Sequence, residues 1–414
     1  MSGVGIPSRR YAGPRWGTFA PKRRSLLVRG FAKGGLARSW DWLLILVASG
    51  LTGLGALLVW AATEPELRAA GEDPHTYLKK QILWGALGLI LMFTVASIDY
   101  RKYRRWTPLI YAGALLLLLA VLSPAGQSVN GAKAWIALPG GFQIEPSEFA
   151  KLGLILSTAY MLTRRGTKQQ QQMPEEKAGR PGMLDVFLAI VAAAPLIILV
   201  EREPALGVMF VLVVVLAVMI LVSPIRLYWT GGLIVAAAAL IYGVARSHLL
   251  KGYQLTRLTS FLHPNQDIAG TGYNALQAKI AVGSGGLHGV GLFHGTFTGG
   301  NFVPSVQTDF IFTVAGEELG FVGCAVIVAL LGFVVFRAIR IAQRADDLFG
   351  MLVAAGIAVW FLFQTFVNVG MTIGITPITG LPLPFVSYGG SAIFADMIAI
   401  GLLQSVRRHR SLFD

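Results

Sequence analysis

The chain has 414 residues, of which 54% are hydrophobic and only 14% are charged, and its mean hydropathy is +0.63. This composition excludes a soluble globular protein and indicates an integral membrane protein. The net charge of +14 does not indicate DNA or RNA binding, because the basic residues cluster beside apolar runs, as membrane topology requires. The single cysteine, Cys324, excludes an intrachain disulfide.

Ten continuous apolar runs along the chain predict transmembrane helices. Because polar and apolar residues do not alternate within the runs, helices are favoured over a β-barrel. Several runs are shorter than the roughly 20 residues that cross ~30 Å of hydrocarbon, so we expect flanking residues to extend them. The sequence therefore predicts an all-α integral membrane protein with about ten transmembrane helices. The predicted spans are 42–62, 82–98, 109–122, 149–162, 186–200, 206–222, 233–244, 310–335, 352–369 and 392–403.

Basic clusters predict the side of the membrane that each loop occupies. They all fall on one side if ten spans alternate, and the positive-inside bias makes that side cytoplasmic, together with both termini. Residues 1–39 are then a basic cytoplasmic tail and residues 40–410 a membrane domain. Within this domain, 164–182 is a polar cytoplasmic linker. Residues 245–308 form a large structured extracytoplasmic loop between the seventh and eighth spans.

This large loop is the most informative segment. It is rich in glycine and apolar residues and poor in charge, which predicts an ordered segment. Asp267 is its only carboxylate between His263 and Asp309. An Asp in such a sequence most often caps a turn, but an isolated acid in an ordered loop at a membrane surface is also a candidate for chemistry. The glycines either let backbone approach a ligand or serve tight turns.

Two further external segments carry unusual polar residues. In 130–153, Glu148 and Lys151 lie three apart, on one face of a helix predicted to begin near Pro146. Either the acid sits at the helix start beside a neighbouring cation, or the pair holds a polar cavity open at the membrane boundary. In 368–392, prolines and glycines interrupt the helical pattern. A broken segment at membrane depth lines a cavity or is buried in protein, which suits both a transporter and an enzyme.

Six motifs in this order resemble the SEDS family (shape, elongation, division and sporulation), the polytopic cell-wall proteins that include RodA and FtsW. They are NGAxxWI at 130–136, xPSEFAK at 145–151, DxxGxGY at 267–273, IAVGSGGLxGxG at 280–291, TDFIFTVAGEELG at 308–320 and GLPLPFVSYGG at 380–390. The likeness covers roughly residues 40–410, and the segment NVGMTIGITPITGLPLPFVSYGGS at 368–391 looks more like RodA than FtsW. It implies a peptidoglycan glycosyltransferase of the bacterial plasma membrane that polymerises lipid II during cell-wall synthesis and cell-shape maintenance. It also implies a partner, a class B penicillin-binding protein that crosslinks the product.

The resemblance also implies site residues. The family's catalytic aspartate matches Asp267, and the conserved Glu and Lys of its PSExxK segment match Glu148 and Lys151. The attacking sugar hydroxyl needs a general base, and we predict that Asp267 is this base or the group that orients the acceptor. The leaving pyrophosphate needs positive charge. The pyrophosphate candidates are Lys133, Lys151, Arg257 and Lys279, and a divalent cation (Mg²⁺ or Mn²⁺) could share their role. The residues predicted to bind substrate are Glu148, Lys151, Lys133, Trp135, Arg257, Lys279, Ser387 and Tyr388.

The chain departs from the family's pattern at several positions. Glu145 replaces the usual Gln, Ala134 replaces an Arg, and Ala205 replaces the Asp of a PDLG-like segment. Ile268 and Gln307 also differ from the residues that are usual in the family at these positions. Two other functions stay open: a lipid II flippase, because ten spans with broken helices suit a transporter, and an inactive scaffold that activates a transpeptidase. The distinctive polar residues crowd the external face instead of the midplane, which favours the polymerase.

Overall fold

The computed structural model describes residues 40–124, 126–129, 132–138, 142–164, 181–203, 205–224, 231–232, 271–300 and 302–409. The described residues are mostly helical, with one small sheet between the third and fourth helices. The elements in chain order are α1 Trp42–Ala69, α2 Thr76–Ser97, α3 Tyr100–Leu122, β1 Gly126–Val129, β2 Ala132–Leu138, β3 Phe142–Ile144, α4 Pro146–Thr163, α5 Met183–Arg202, α6 Leu206–Val222, α7 Thr271–Ser284, α8 Thr296–Gly299, α9 Ile311–Gln343, α10 Leu348–Ile373 and α11 Gly390–Arg408.

Nine of the ten predicted spans coincide with helices in the described ranges, and most of these helices extend beyond the apolar run. Six of them (α1, α2, α3, α5, α9 and α10) are long and apolar enough to cross a membrane. The chain is therefore a multi-pass membrane protein. The tenth span (233–244), the tail (1–39), most of the linker and the first part of the large loop lie outside the described residues.

An aspartate caps the N-terminus of each of three helices. Asp41, Asp99 and Asp347 precede α1, α3 and α10. Each carboxylate accepts a hydrogen bond from a backbone N–H of the first turn, at 3.3, 2.9 and 2.9 Å respectively. These bonds satisfy donors that a helix start otherwise leaves without partners, so the three boundaries follow from local sequence.

Helix α4 lies at the centre of the bundle. It packs against α3, α5, α6 and α10, and fifteen of its eighteen residues are buried. By contrast, only 28% and 22% of the most apolar stretches of α2 and α3 are buried inside the protein, as expected of helices on the outside of a bundle. Because its neighbours shield it from lipid, α4 can carry ionisable residues that a lipid-facing helix could not.

The segment between α3 and α4 forms an antiparallel sheet in the order β1–β2–β3, an element that was not predicted from the sequence. In the register, Gln127 lies opposite Trp135 and Ile136 opposite Ile144. The sheet joins the end of α3 to the start of α4, and we call this end of the bundle the sheet end. Helix α11 also begins there, because the Ser391 hydroxyl donates to the Gln143 carbonyl at 3.3 Å.

The glycines of the large loop serve close backbone contact with α9. Gly320 interrupts α9 with φ +67°, and Gly289, with φ +80°, packs against this interruption so closely that a Cβ would lie 2.1 Å from the Glu318 carbonyl oxygen. Gly291 N–H donates to the same carbonyl at 3.1 Å. These glycines were expected either to let the backbone approach a ligand or to form tight turns. In the described part of the loop they form tight turns and allow close backbone contacts within the protein.

Candidate functional site

Glu148 and Lys151 form an ion pair in the first turns of α4. Lys151 Nζ lies 2.7 Å from Glu148 Oε2, and neither side chain is more than 1% exposed. The three-residue spacing brings both side chains to one helix face, as predicted. The geometry agrees with an acid at a helix start beside a cation, and both side chains are buried.

Two residues of α10 complete the surroundings of the Lys151 ammonium. Gln364 Oε1 accepts a hydrogen bond from Lys151 Nζ at 3.0 Å and another from Trp360 Nε1 at 2.6 Å. Lys151 Nζ also lies 4.5 Å from the centroid of the Trp360 ring, a cation–π contact. We call Glu148, Lys151, Trp360 and Gln364 the buried polar cluster. Its ammonium group is held on three sides by a carboxylate, an amide oxygen and an aromatic face.

Helix α10 also anchors the broken segment that leads into α11. Gln364 Nε2 donates to the Pro382 carbonyl at 2.7 Å. One turn later, Asn368 Nδ2 donates to the Leu381 carbonyl at 2.7 Å and to the Asp309 carbonyl at 2.8 Å. Carbonyls that no helix satisfies are thus paired with side-chain amides, which is how irregular backbone is tolerated inside a membrane protein.

The other side of the broken segment is fixed by Ser387 and Asp396. The Ser387 hydroxyl accepts from Leu383 N–H at 2.7 Å and donates to the Thr308 carbonyl at 2.6 Å. Asp396 Oδ2 accepts from Phe385 N–H at 2.9 Å. Ser387, predicted to bind substrate, is therefore buried and engaged within the protein in this structure.

Tyr388 lies at the surface of this region among other aromatic rings. Its ring centroid is 4.9 Å from that of Tyr77 and 4.9 Å from that of Trp84, both on α2. The side chain is half-buried, and this burial raises the pKa of its phenol above the usual value. Its backbone N–H donates to the Gln307 carbonyl at 2.9 Å. Tyr388 is accordingly a neutral hydroxyl at neutral pH.

Three other predicted substrate-binding residues lie away from the buried polar cluster. On β2, Lys133 Nζ donates to the Leu122 carbonyl at 3.3 Å, and Trp135 is half-buried. Lys279, on α7, is exposed and lies across Gly374 at the end of α10. Lys133 and Lys279 therefore leave charge accessible at two places at the sheet end. Asp267 and Arg257 lie outside the described residues.

Two carboxyl groups beside the start of α4 have unusual environments. Ser147 Oγ donates to Glu145 Oε1 at 2.9 Å, while burial and the Glu148 carboxylate raise the pKa of Glu145 above its ordinary value. Glu203, at the end of α5, is fully buried, and neither of its carboxylate oxygens has a hydrogen-bond partner among the residues that the structure describes. Burial, followed by the charge of Glu145, raises the pKa of Glu203 to about 9. Glu203 is thus a neutral acid at neutral pH.

A ligand set for the predicted divalent cation is not found in the part of the chain that the structure describes. No group of three or more His, Cys, Asp or Glu side chains in these ranges could hold a metal ion. Hard divalent cations need several oxygen ligands.

The sequence analysis missed Gln364, Trp360 and Glu203. Gln364 is one of two side-chain amides, with Asn368, within a 26-residue apolar helix, and a polar group in such a helix usually faces the protein interior with a partner. That signal could have identified Gln364. Trp360 carries no comparable signal, because a Trp in a membrane helix is commonly a packing or interface residue.

The chain is similar to known cell-wall proteins along nearly its whole length. Residues 41–412 match the FtsW/RodA/SpoVE family model, described as cell cycle protein. A probable peptidoglycan glycosyltransferase FtsW from Trichlorobacter lovleyi is 35% identical over 89% of this chain and 93% of its own. The peptidoglycan glycosyltransferase RodA from Treponema pallidum is 34% identical over 89% and 97%. A solved structure concerned with polymerization and crosslinking by a peptidoglycan synthase complex matches at 30% identity, covering 91% of this chain and 100% of that chain, with a TM-score of 0.71.

The identities to FtsW and RodA, 35% and 34%, do not separate the two subfamilies. The match nevertheless includes every described helix of the bundle, from α1 to α11. The chain therefore belongs to the FtsW/RodA/SpoVE family of cell cycle proteins.

Proposed function

We propose that this chain polymerises lipid II into glycan strands, with Asp267 as the general base. Its enzyme class follows from the family, and the chain is a peptidoglycan glycosyltransferase. The observation that carries the proposal is the large share of this chain and of its relatives that the comparisons match. The family match spans residues 41–412, and the chain covers 93% and 97% of two relatives named as peptidoglycan glycosyltransferases.

The reaction needs one base and one site of positive charge. The C4 hydroxyl oxygen of one saccharide attacks the anomeric carbon of a second, lipid-linked saccharide. The new C–O bond forms as the bond to pyrophosphate breaks, with inversion, and the electron pair leaves with the undecaprenyl pyrophosphate. The hydroxyl proton passes to the Asp267 carboxylate. One carboxylate is enough because pyrophosphate is already a good leaving group, unlike the alcohol released in glycoside hydrolysis.

The basic residues divide into accessible and buried groups. Lys279 is exposed and Lys133 is half-buried, so we assign them, with Arg257, to the charge of the departing pyrophosphate. Lys151 is fully enclosed by the buried polar cluster, and we assign it and Glu148 to holding the framework beneath the site. Lys151 would then act on the pyrophosphate through its position and its electrostatic field, and not through direct contact.

Membrane placement and partner are part of the proposal. The chain is assigned to the bacterial plasma membrane with both termini cytoplasmic, because the basic clusters flank one set of helix ends. The sheet end is then extracytoplasmic, where lipid II presents its saccharide. A class B penicillin-binding protein is the proposed partner. Support comes from the similar solved structure, which belongs to a peptidoglycan synthase complex.

The test is polymerisation of labelled lipid II by the purified full-length chain, alone and with its transpeptidase partner. Wild type should yield long glycan strands, and Asp267→Ala should yield none while still binding the partner. Asp73→Asn is a matched control, because Asp73 is an exposed carboxylate in the loop between α1 and α2. It should keep wild-type activity.

Three outcomes separate the alternatives. Strands from the Asp267→Ala variant would remove Asp267 as the base while leaving the polymerase in place. Absence of strands from wild type, even with partner, would refute the polymerase. In that case, transfer of labelled lipid II across vesicle membranes would indicate the flippase, and partner activation alone would indicate the scaffold.

A further inference from the structure

Gln364 joins two parts of the site that are far apart in sequence. Its Oε1 accepts from Lys151 Nζ at 3.0 Å and from Trp360 Nε1 at 2.6 Å. Its Nε2 donates to the Pro382 carbonyl, in the broken segment, at 2.7 Å. The side chain is 1% exposed, so one buried amide links α4 to the segment that carries Ser387 and Tyr388.

We propose that Gln364 is a positioning residue of the glycosyltransfer reaction. Its amide fixes Lys151 relative to residues 381–388 of the broken segment. The inference rests on the proposed function, and it adds a residue that the motif resemblance did not assign. Gln364 is enclosed and does not itself reach substrate. Its effect is to hold other groups in place, and displacement of reacting groups by about 1 Å can cost on the order of 100-fold in rate.

The two links that Gln364 makes are not equivalent. The broken segment has a second anchor one turn along α10, because Asn368 Nδ2 donates to the Leu381 carbonyl at 2.7 Å. By contrast, the amide oxygen of Gln364 is the neutral acceptor that faces the Lys151 ammonium. The Glu148 carboxylate and the Trp360 ring also face this ammonium, and the carboxyl groups of Glu145 and Asp396 interact with it electrostatically. Removal of the amide should therefore act on the reaction chiefly through Lys151.

The chain offers a matched control in Gln404. This second glutamine is also fully buried in a helix of the bundle. Its amide bonds the backbone of Asp41, accepting from N–H at 2.9 Å and donating to the carbonyl at 3.0 Å. Asp41 lies at the end of the bundle opposite the sheet end, where α1 begins and α11 ends. Gln404→Met and Gln364→Met thus remove the same group from equally buried positions, only one of which is near the site.

The first measurement is the rate of lipid II polymerisation as a function of lipid II concentration. Full-length wild type, Gln364→Met and Gln404→Met are compared in the same lipid nanodiscs, with thermal unfolding recorded for each. Gln364→Met should lower kcat at least about 10-fold with KM changed by less than about 3-fold, as expected for misplaced groups with substrate contacts retained. Gln404→Met should lower thermal stability comparably and keep kcat within about 2-fold. Equal losses of kcat in the two variants would overturn the proposal.

The second measurement asks whether Gln364 acts through Lys151. In a Lys151→Met background, Gln364→Met should reduce kcat by less than about 2-fold further, because residues that act as a unit are not additive. A full 10-fold loss in that background would refute the link.

A third measurement does not depend on activity. Amide hydrogen exchange at 381–388 should be faster in Gln364→Met than in Gln404→Met, since only the former loses an anchor of this segment. Unchanged exchange would refute the positioning role even if wild type proved inactive. Inactive wild type with faster exchange would refute the polymerase alone.

Discussion

Removing Lys151 should destabilise the protein more than removing the charge of Glu148. In Lys151→Met, the Glu148 carboxylate loses its ammonium partner at 2.7 Å in a site where neither side chain is more than 1% exposed. The neighbouring Asp396 carboxylate, also buried, loses the same favourable field. Breaking a buried pair by removing one partner costs about 3–5 kcal/mol, because an uncompensated charge is left behind. We expect Lys151→Met to fall at the upper end of that range.

Glu148→Gln should be milder because it leaves the ammonium with other partners. Lys151 Nζ keeps the Gln364 amide oxygen at 3.0 Å and the Trp360 ring at 4.5 Å. We expect a loss of about 1–2 kcal/mol. In the double variant, a neutral Gln lies beside a Met, so the stability should exceed that of Lys151→Met by at least about 1 kcal/mol.

The assay is unfolding in mixed micelles with increasing denaturing detergent, applied to wild type, both single variants and the double variant. The coupling free energy of the cycle isolates the pair. Equal losses in the two single variants, or strict additivity in the double variant, would refute the reasoning, because each would mean that the pair is not a dry, mutually dependent unit.

Three further changes test separate features of the structure. The pKa of Glu203 is raised from an ordinary 4.5 to about 9, so the folded state binds this proton more tightly than the unfolded state does. The proton therefore contributes to the free energy of unfolding below about pH 4.5, and this contribution is lost as the pH rises through about 9. Thermal stability of wild type should therefore fall relative to Glu203→Gln between pH 5 and pH 9, and parallel curves would contradict this. Asp41→Asn should lower the free energy of unfolding, measured in denaturing detergent, by about 2 kcal/mol. Asp41 is 2% exposed and accepts hydrogen bonds from Arg337 Nε at 2.8 Å and from Arg337 Nη2. An unchanged unfolding midpoint would show that the ion pair between Asp41 and Arg337 is dispensable. Gly289→Ala should cost at least about 2 kcal/mol, since the position has φ +80° and its new Cβ would meet the Glu318 carbonyl; a wild-type midpoint would show that the contact relaxes freely.

The bundle was predictable because the apolar runs are long and continuous. Helix starts at Asp41 and Asp347 carry local caps, and the three-residue spacing of Glu148 and Lys151 placed both on one face, as the structure confirms. Such features depend on a few adjacent residues, and pattern rules read them directly.

The contacts between distant segments were not predictable from the same rules. The pairing of Lys151 with Gln364 joins residues 213 positions apart, and no periodicity encodes it. The sheet was missed for another reason. Its strands have four, seven and three residues, and Ala132–Leu138 alternates too weakly to identify a strand. The predicted base, Asp267, lies outside the described residues, so its role stays a prediction.

The departures from the family's pattern bear on whether the chain is an enzyme or a scaffold. At two of them, the contact in the structure uses the backbone and does not depend on the substituted side chain. Gln307 accepts from Tyr388 N–H through its carbonyl, at 2.9 Å, and Glu145 donates through its own N–H to the Ser391 hydroxyl, also at 2.9 Å. A substitution that changes only the side chain leaves both bonds in place, so these departures do not disturb how the broken segment meets the residues before α9, or how the start of α11 meets the start of α4. A pure scaffold would not need a buried ion pair, an amide link and a doubly anchored segment, because burying such groups costs free energy unless every partner is satisfied. Their presence in one connected set favours the polymerase over the scaffold.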